Sequence, residues 1–164
     1  MPPLAQKRIE EDTSINLVKW PEASMPIPRE KLLEDIKGAE GVLLFLTEKV
    51  NDEFLDAAGP QLKVVSTMSV GHDHIDKEAC RKRNVRIGYT PDVLTDATAD
   101  ITVGLLLATA RRFQEGMRAV RTGEWSDWSA MWMTGTQISG KTVGLVGFGR
   151  IGVAVAERLR GFNI

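Results

Sequence analysis

One run constrains this chain more than any other: Thr142-Val-Gly-Leu-Val-Gly-Phe-Gly-Arg-Ile-Gly152. An apolar stretch leads into Gly147, Gly149 and Gly152, and a helical pattern follows from Ile151 to Leu159. A strand, a glycine turn and a helix in that order open a Rossmann unit. The first glycine permits the tight turn, the second lets a pyrophosphate approach the backbone, and the third lets helix and strand pack closely. The helix N-terminus adds unpaired N–H groups and a positive dipole end. Such a site also requires a ribose-binding residue about twenty positions further on. The sequence reaches Ile164 before that position, so the site is expected to be incomplete. The plainer alternative is a strand–turn–helix whose glycines serve packing alone.

Upstream, strand and helix patterns alternate. Residues 4–14 read as a helix and Asn16 to Trp20 as a short strand ended by Pro21. After a connector at Pro26 and Pro28 comes a helix from Arg29 to Ile36, stopped by Gly38. Gly41 to Leu46 is a continuous apolar run, the pattern of a strand buried on both faces. Asn51 to Ala58 reads as a helix capped by Asn51, Leu62 to Thr67 as a strand, Asp76 to Arg83 as a helix and Val85 to Gly88 as a strand. Alternation of this kind argues for α/β architecture with a parallel sheet. Residues 95–112 form a long helix that is apolar on most sides and is expected to be buried on several. Phe113 to Arg121 is a more polar helix, and a loop with Trp125, Trp128 and Trp132 leads back to the glycine-rich run. The boundary between two domains is expected near residue 92, giving 1–92 and 93–164.

Composition excludes several classes. The net charge of −1 is spread along the chain, without the basic stripe of a nucleic-acid binder. No apolar run approaches the roughly 20 residues of a membrane span, and the N-terminus lacks the apolar core of a signal peptide. The single cysteine, Cys80, excludes an internal disulfide and fits a reducing compartment, hence an expected cytoplasmic location.

Three stretches together carry a family resemblance. They are Leu62-Lys-Val-Val-Ser-Thr-Met-Ser-Val-Gly-His-Asp-His-Ile-Asp76, Gly88-Tyr-Thr-Pro-Asp-Val-Leu-Thr-Asp-Ala-Thr-Ala-Asp100, and Thr142 to Gly152. In this order and spacing the chain resembles the D-2-hydroxyacid dehydrogenases, and within them the glyoxylate/hydroxypyruvate reductases, to which the tryptophan segment adds further likeness. The resemblance implies an incomplete flavodoxin-like substrate domain, whose first strand is missing, followed by the start of a Rossmann NAD(P)-binding domain that includes a dimerisation segment. It implies reduction of a 2-keto acid, glyoxylate or hydroxypyruvate, to the D-2-hydroxy acid. The coenzyme is NADP or NAD, with NADP favoured by the subfamily. An arginine that binds substrate and a histidine–acid pair that protonates the carbonyl oxygen belong to a later part of the family's cofactor domain, so no catalytic residue is assigned in this chain.

Particular residues carry over. Val70 and Gly71 match the loop whose backbone N–H groups bind the substrate carboxylate; glycine leaves the anion unobstructed and consecutive amides form a nest. Without the resemblance, Gly71 is a turn glycine. Gly147, Gly149, Arg150, Ile151 and Gly152 match the pyrophosphate loop. Trp128 matches a tryptophan that reaches the partner subunit's active site in the glyoxylate/hydroxypyruvate reductases. Taken alone, the three tryptophans read as ordinary interface or core packing, a reading that stands level with the active-site role for Trp128 and ahead of it for Trp125 and Trp132. His72, Asp73, His74 and Asp76 include metal-ligand types, but the family places helix-capping aspartates here, and no metal is expected. His72 stands where relatives usually carry another residue, often apolar. Asp100 replaces the family's glutamate, and Thr95 and Thr98 lie near the expected hinge, with capping and back-bonding as the plain alternative. Cys80 reads as structural.

The expected partners are a small 2-keto or 2-hydroxy acid and a second subunit in a homodimer, with neither nucleic acid nor membrane. The chain alone is expected to be inactive. The competing reading is a non-catalytic truncated isoform or pseudoenzyme that dimerises with an intact subunit.

Overall fold

The computed structural model describes residues 3–21 and 25–164. They fall into two compact units, one up to Thr90 and one from Pro91. Each has its own apolar cluster.

The first unit has the expected α/β architecture. Strands β1 (Gly41–Leu44), β2 (Val64–Thr67) and β3 (Arg86–Gly88) form a parallel sheet in the order β1-β2-β3. Val42, Val65 and Ile87 stand in register across it. The connections are α3 (Asp52–Ala58) and α4 (Lys77–Lys82), preceded in the chain by α1 (Pro3–Glu10) and α2 (Arg29–Asp35). Both connecting helices start on a side-chain cap. Asn51 accepts from the Phe54 N–H at 3.2 Å, and Asp76 accepts from the Ala79 N–H at 2.9 Å. Phe54, Leu55, Val65 and Cys80 lie fully inside the core between helices and sheet. Burial of a side chain such as Phe54 or Leu55 contributes about 1.5–3 kcal/mol.

Three expectations in this unit are corrected. Helix α1 stops at Glu10 rather than residue 14, because Asp12 Oδ1 accepts from both the backbone N–H and the hydroxyl of Ser14 and turns the chain there. Asn16 to Trp20 is not a strand: no described neighbour exchanges ladder bonds with it. Nor is β1 buried on both faces. It is the edge of the sheet, and Leu43, Phe45 and Leu46 are exposed.

In the second unit α5 (Thr95–Ala110) packs on α7 (Arg150–Leu159) through Ala99, Val103, Ala154, Val155 and Leu159. The two buried alanines permit close approach of the backbones. Between them come α6 (Phe113–Thr122) and the tryptophan loop, and a 3-10 turn, Arg160–Phe162, follows α7. Gly135 crosses the end of α5 so tightly that a Cβ there would stand 2.5 Å from the Ala110 carbonyl oxygen.

Two further corrections belong here. Helix α5 buries one side only, with Ile101 and Leu105 exposed on others. The run after Thr142 is not a strand, since no described segment pairs with it; Val143 packs on the α5–α7 cluster while Val146 and Phe148 are exposed.

Candidate functional site

Ligands of open parallel α/β sheets bind beyond the carboxyl ends of the strands. In the first unit the central strand β2 ends at Thr67 and runs into residues 68–76. The turn is braced at both ends. The Met68 N–H donates to the Leu44 carbonyl at 3.0 Å, extending the sheet. Val50 and Ile75 form a parallel bridge, with the Val50 N–H on the His74 carbonyl at 2.9 Å and the Asp76 N–H on the Val50 carbonyl at 2.8 Å. Beneath the turn, the buried hydroxyls of Thr67 and Ser69 lie 2.7 Å apart, and Ser69 Oγ donates to the Gly71 carbonyl at 2.7 Å.

Val70 is half-buried and Gly71 exposed at the tip. A Cβ on Gly71 would meet nothing within 4 Å, and its φ lies outside the left-handed region. The fold therefore does not demand glycine at this position; what glycine leaves is open access to the backbone. Among the described residues, nothing accepts from the N–H groups of Val70, Gly71 or His72. These are donors available to an anion.

The neighbouring polar residues divide by role. Asp76 is the cap of α4. The His72 ring packs on Tyr89 with centroids 5.1 Å apart. His74 Nε2 is buried without a hydrogen-bond partner among the described residues. No cluster of three or more metal-ligating side chains is present among the described residues. Cys80 is enclosed in the core, and burial, reinforced by the charge of Asp76 against that of Arg83, pushes its thiol above the ordinary value.

In the second unit Gly147, Gly149 and Gly152, around the start of α7, each have a distinct geometry. Gly147 has φ of +91°, a conformation that L side chains rarely adopt. A Cβ on Gly152 would stand 2.6 Å from the Gly147 carbonyl oxygen, so the close crossing forbids a side chain. A Cβ on Gly149 would point into open space. Gly149 is the N-cap of α7, and no side chain caps the helix. The N–H groups of Arg150, Ile151 and Gly152 have no acceptor among the described residues. A backbone that is bare at Gly149 and donates from the next three residues fits a phosphate, because helix N-termini carry unpaired donors and a positive dipole end. The Arg150 guanidinium itself is paired with the Asp92 carboxylate.

Trp128 is 84 % exposed, whereas Trp125 and Trp132 pack on one another with centroids 5.1 Å apart. Thr95 opens α5 without capping it, and the Thr98 carbonyl accepts from the Thr102 hydroxyl at 2.7 Å. Asp100 accepts from Arg158 Nε at 2.5 Å and Asp96 accepts from its Nη2 at 2.9 Å. Sequence reasoning missed that arginine, the Asp92–Arg150 pair and the buried Thr67–Ser69 pair. The signals were two aspartates four residues apart on one helix, and two hydroxyls two residues apart at the end of a strand.

The chain matches the family model for the D-isomer specific 2-hydroxyacid dehydrogenase catalytic domain over residues 2–160. It is 51 % identical over 139 residues to a mouse (Mus musculus) glyoxylate reductase/hydroxypyruvate reductase, a match covering 85 % of this chain and 42 % of the relative. It is 50 % identical over 140 residues to a glyoxylate reductase of Thermofilum pendens, covering 85 % of this chain and 41 % of that protein. Among solved structures it is similar to the NADPH-dependent glyoxylate/hydroxypyruvate reductase of Sinorhizobium meliloti in complex with NADP and malonate. The TM-score is 0.70 at 35 % identity, over 79 % of this chain and 40 % of the other. The chain spans less than half the length of each of these relatives.

Proposed function

The chain belongs to the D-isomer specific 2-hydroxyacid dehydrogenases, and from that premise we propose that it supplies two binding turns of a reductase that converts glyoxylate or hydroxypyruvate to the D-2-hydroxy acid. In this reading residues 1–92 form part of the substrate domain. Residues 93–164 carry the dimerisation segment and the first turn of the NAD(P)-binding domain. The observation that carries the reading is the turn from Gly147 to Gly152, closed to side chains at Gly152 and open at Gly149.

The amides of Arg150, Ile151 and Gly152 hold the coenzyme pyrophosphate, and Gly147 and Gly149 shape the backbone it rests on. Of the two coenzymes NADP is our choice over NAD, a reading supported by the likeness to the Sinorhizobium reductase in complex with NADP. When bound, the reduced nicotinamide supplies the hydride. The Val70 and Gly71 amides grip the substrate carboxylate and so fix the position of the neighbouring carbonyl. Hydride addition builds negative charge on that carbonyl oxygen, which a proton donor and a fixed cation must meet. No residue of this chain is assigned to either task, so the chain by itself does not turn over.

Apolar side chains stand exposed on α5 (Ile101, Leu105), α6 (Met117, Val120) and the loop (Trp128, Met131) of the second unit. They provide the surface for a homodimer, in which Trp128 reaches the partner's substrate pocket. The same surface favours a second reading, pairing of this chain with an intact subunit as a non-catalytic partner. The single buried cysteine suits a reducing compartment such as the cytoplasm, and no described helix is long and apolar enough to cross a membrane.

The test is a spectrophotometric assay of this chain with NADPH and hydroxypyruvate, followed by addition of pyrophosphate to isotopically labelled chain. Absence of turnover, together with amide shifts at Arg150, Ile151 and Gly152, is expected. Turnover above background overturns the assignment of inactivity, and silence of those three amides overturns the coenzyme turn.

A further inference from the structure

Among the described residues the polar residues buried as a whole are Thr67, at 2 % exposure, and Ser69, at 6 %. Desolvating hydroxyls costs free energy unless they are hydrogen-bonded, so the bonds this pair makes are what hold it in place. Their bonds end on the candidate substrate turn. Thr67 Oγ1 and Ser69 Oγ are 2.7 Å apart, and Ser69 Oγ lies 2.7 Å from the Gly71 carbonyl oxygen.

The direction of this chain of bonds follows from proton counting. A hydroxyl has one hydrogen to donate. A carbonyl oxygen only accepts, so Ser69 spends its hydrogen on Gly71. The Thr67 hydroxyl must therefore donate to Ser69. The relay runs one way, from Thr67 through Ser69 to the Gly71 carbonyl.

That last bond fixes a peptide plane. No peptide bond in the described chain is cis. In a trans peptide the C=O and the following N–H point in opposite directions. With the Gly71 carbonyl turned inward onto buried Ser69, the His72 N–H of the same trans peptide is turned away from it. His72 is held in two other ways. Its carbonyl accepts from the Ile75 N–H at 3.0 Å, and its ring packs on Tyr89 at 5.1 Å. Ser69 is anchored in turn by its own carbonyl, which accepts from the Thr90 N–H at 2.9 Å. The His72 N–H has no acceptor among the described residues.

We propose that Ser69, oriented by Thr67, is a positioning residue that aims the His72 N–H as a third donor, beside those of Val70 and Gly71, at the carboxylate of a small 2-keto acid. The proposal rests on the assignment of residues 68–76 as the carboxylate seat and adds to it both the third donor and the side chain that aims it. Ser69 touches no substrate; it acts through the Gly71–His72 peptide.

The experiment is a titration of the isotopically labelled 164-residue chain with sodium glyoxylate, read at individual backbone amides, for the native sequence, Ser69→Ala and Thr67→Val. In the native chain the amides of Val70, Gly71 and His72 are expected to move together with one dissociation constant. In Ser69→Ala, Val70 and Gly71 still respond, the His72 response is lost, and glyoxylate binds several-fold more weakly. Thr67→Val, which keeps the Ser69–Gly71 bond, gives an intermediate weakening and serves as the readout if Ser69→Ala does not fold. A native His72 amide that stays still while Val70 and Gly71 move overturns the proposal and leaves the carboxylate seat standing. Unchanged affinity in both variants overturns it too. If none of the three native amides responds, the seat itself falls.

Discussion

Arg158 joins α7 to two carboxylates one turn apart on α5: its Nε donates to Asp100 at 2.5 Å and its Nη2 to Asp96 at 2.9 Å. The hydrogen bonds to Asp100 and then Asp96 hold the guanidinium above its ordinary pKa. Small buried side chains bring the two helices together, and this fork sets how one slides along the other. Asp100 therefore has a structural task, and its shorter side chain still reaches the partner.

Replacing Arg158 with Met, which keeps the apolar stem, is expected to lower the melting temperature modestly. The loss should shrink in 1 M salt, where the screening length falls to about 3 Å. Thermal melts at low and high salt, with Asp100→Asn alongside, check this. A loss of equal size at both salt concentrations contradicts an electrostatic fork.

Gly152, in the first turn of α7, and Gly149, its N-cap, are expected to separate by what they do. Gly152→Ala drives a Cβ to 2.6 Å from a backbone oxygen, and overpacking of that kind costs about 1–3 kcal/mol. Gly149→Ala meets open space at a φ of −84° and should change stability by less than about 1 kcal/mol, while blocking pyrophosphate at the backbone. Urea unfolding combined with the pyrophosphate titration measures both. Equal stability losses in the two variants would remove the distinction between packing and access.

Gly88 lies opposite Ser66 in the sheet, and a Cβ on it would stand 2.5 Å from Ser66 Oγ. Gly88→Ala is expected to destabilise the first unit by about 1–3 kcal/mol. Adding Ser66→Gly should recover most of that loss by moving the missing side chain to the other strand. The double variant melting no higher than the single one would show that the strain lies elsewhere.

Cys80 is expected to resist thiol reagents in the folded chain and to react fully in denaturant, because burial holds the thiol protonated and enclosed. The raised value also sets a pH trend. The unfolded thiol ionises near its ordinary pKa of about 8.5, while the folded one stays protonated to higher pH. The unfolded state then binds fewer protons, and this group's contribution to stability declines as pH rises through the ordinary thiol range. Cys80→Ala should flatten that decline, and an unchanged profile in the variant assigns the decline to other groups.

Legibility followed locality. The caps at Asn51 and Asp76, the bend at Gly147 and the close contact at Gly152 depend on neighbours within a few residues, and their chemistry stands in the sequence itself. The parallel sheet was visible as alternation. What escaped depended on partners far along the chain. Asn16 to Trp20 has the composition of a strand, but a strand requires exchanged bonds. Gly41 to Leu46 is apolar throughout, yet apolar content does not reveal that β1 sits at a sheet edge. The Thr67–Ser69 relay was hidden inside a stretch noticed for its glycine and histidines. Asp100 was read as a departure from family usage because its counter-ion lies 58 positions away.

The bend at Gly147 and the crossing at Gly152 assume their shape although the run preceding them pairs with no described strand. The shape of this turn thus rests on the helix that follows it and on α5 packed against that helix, rather than on a sheet.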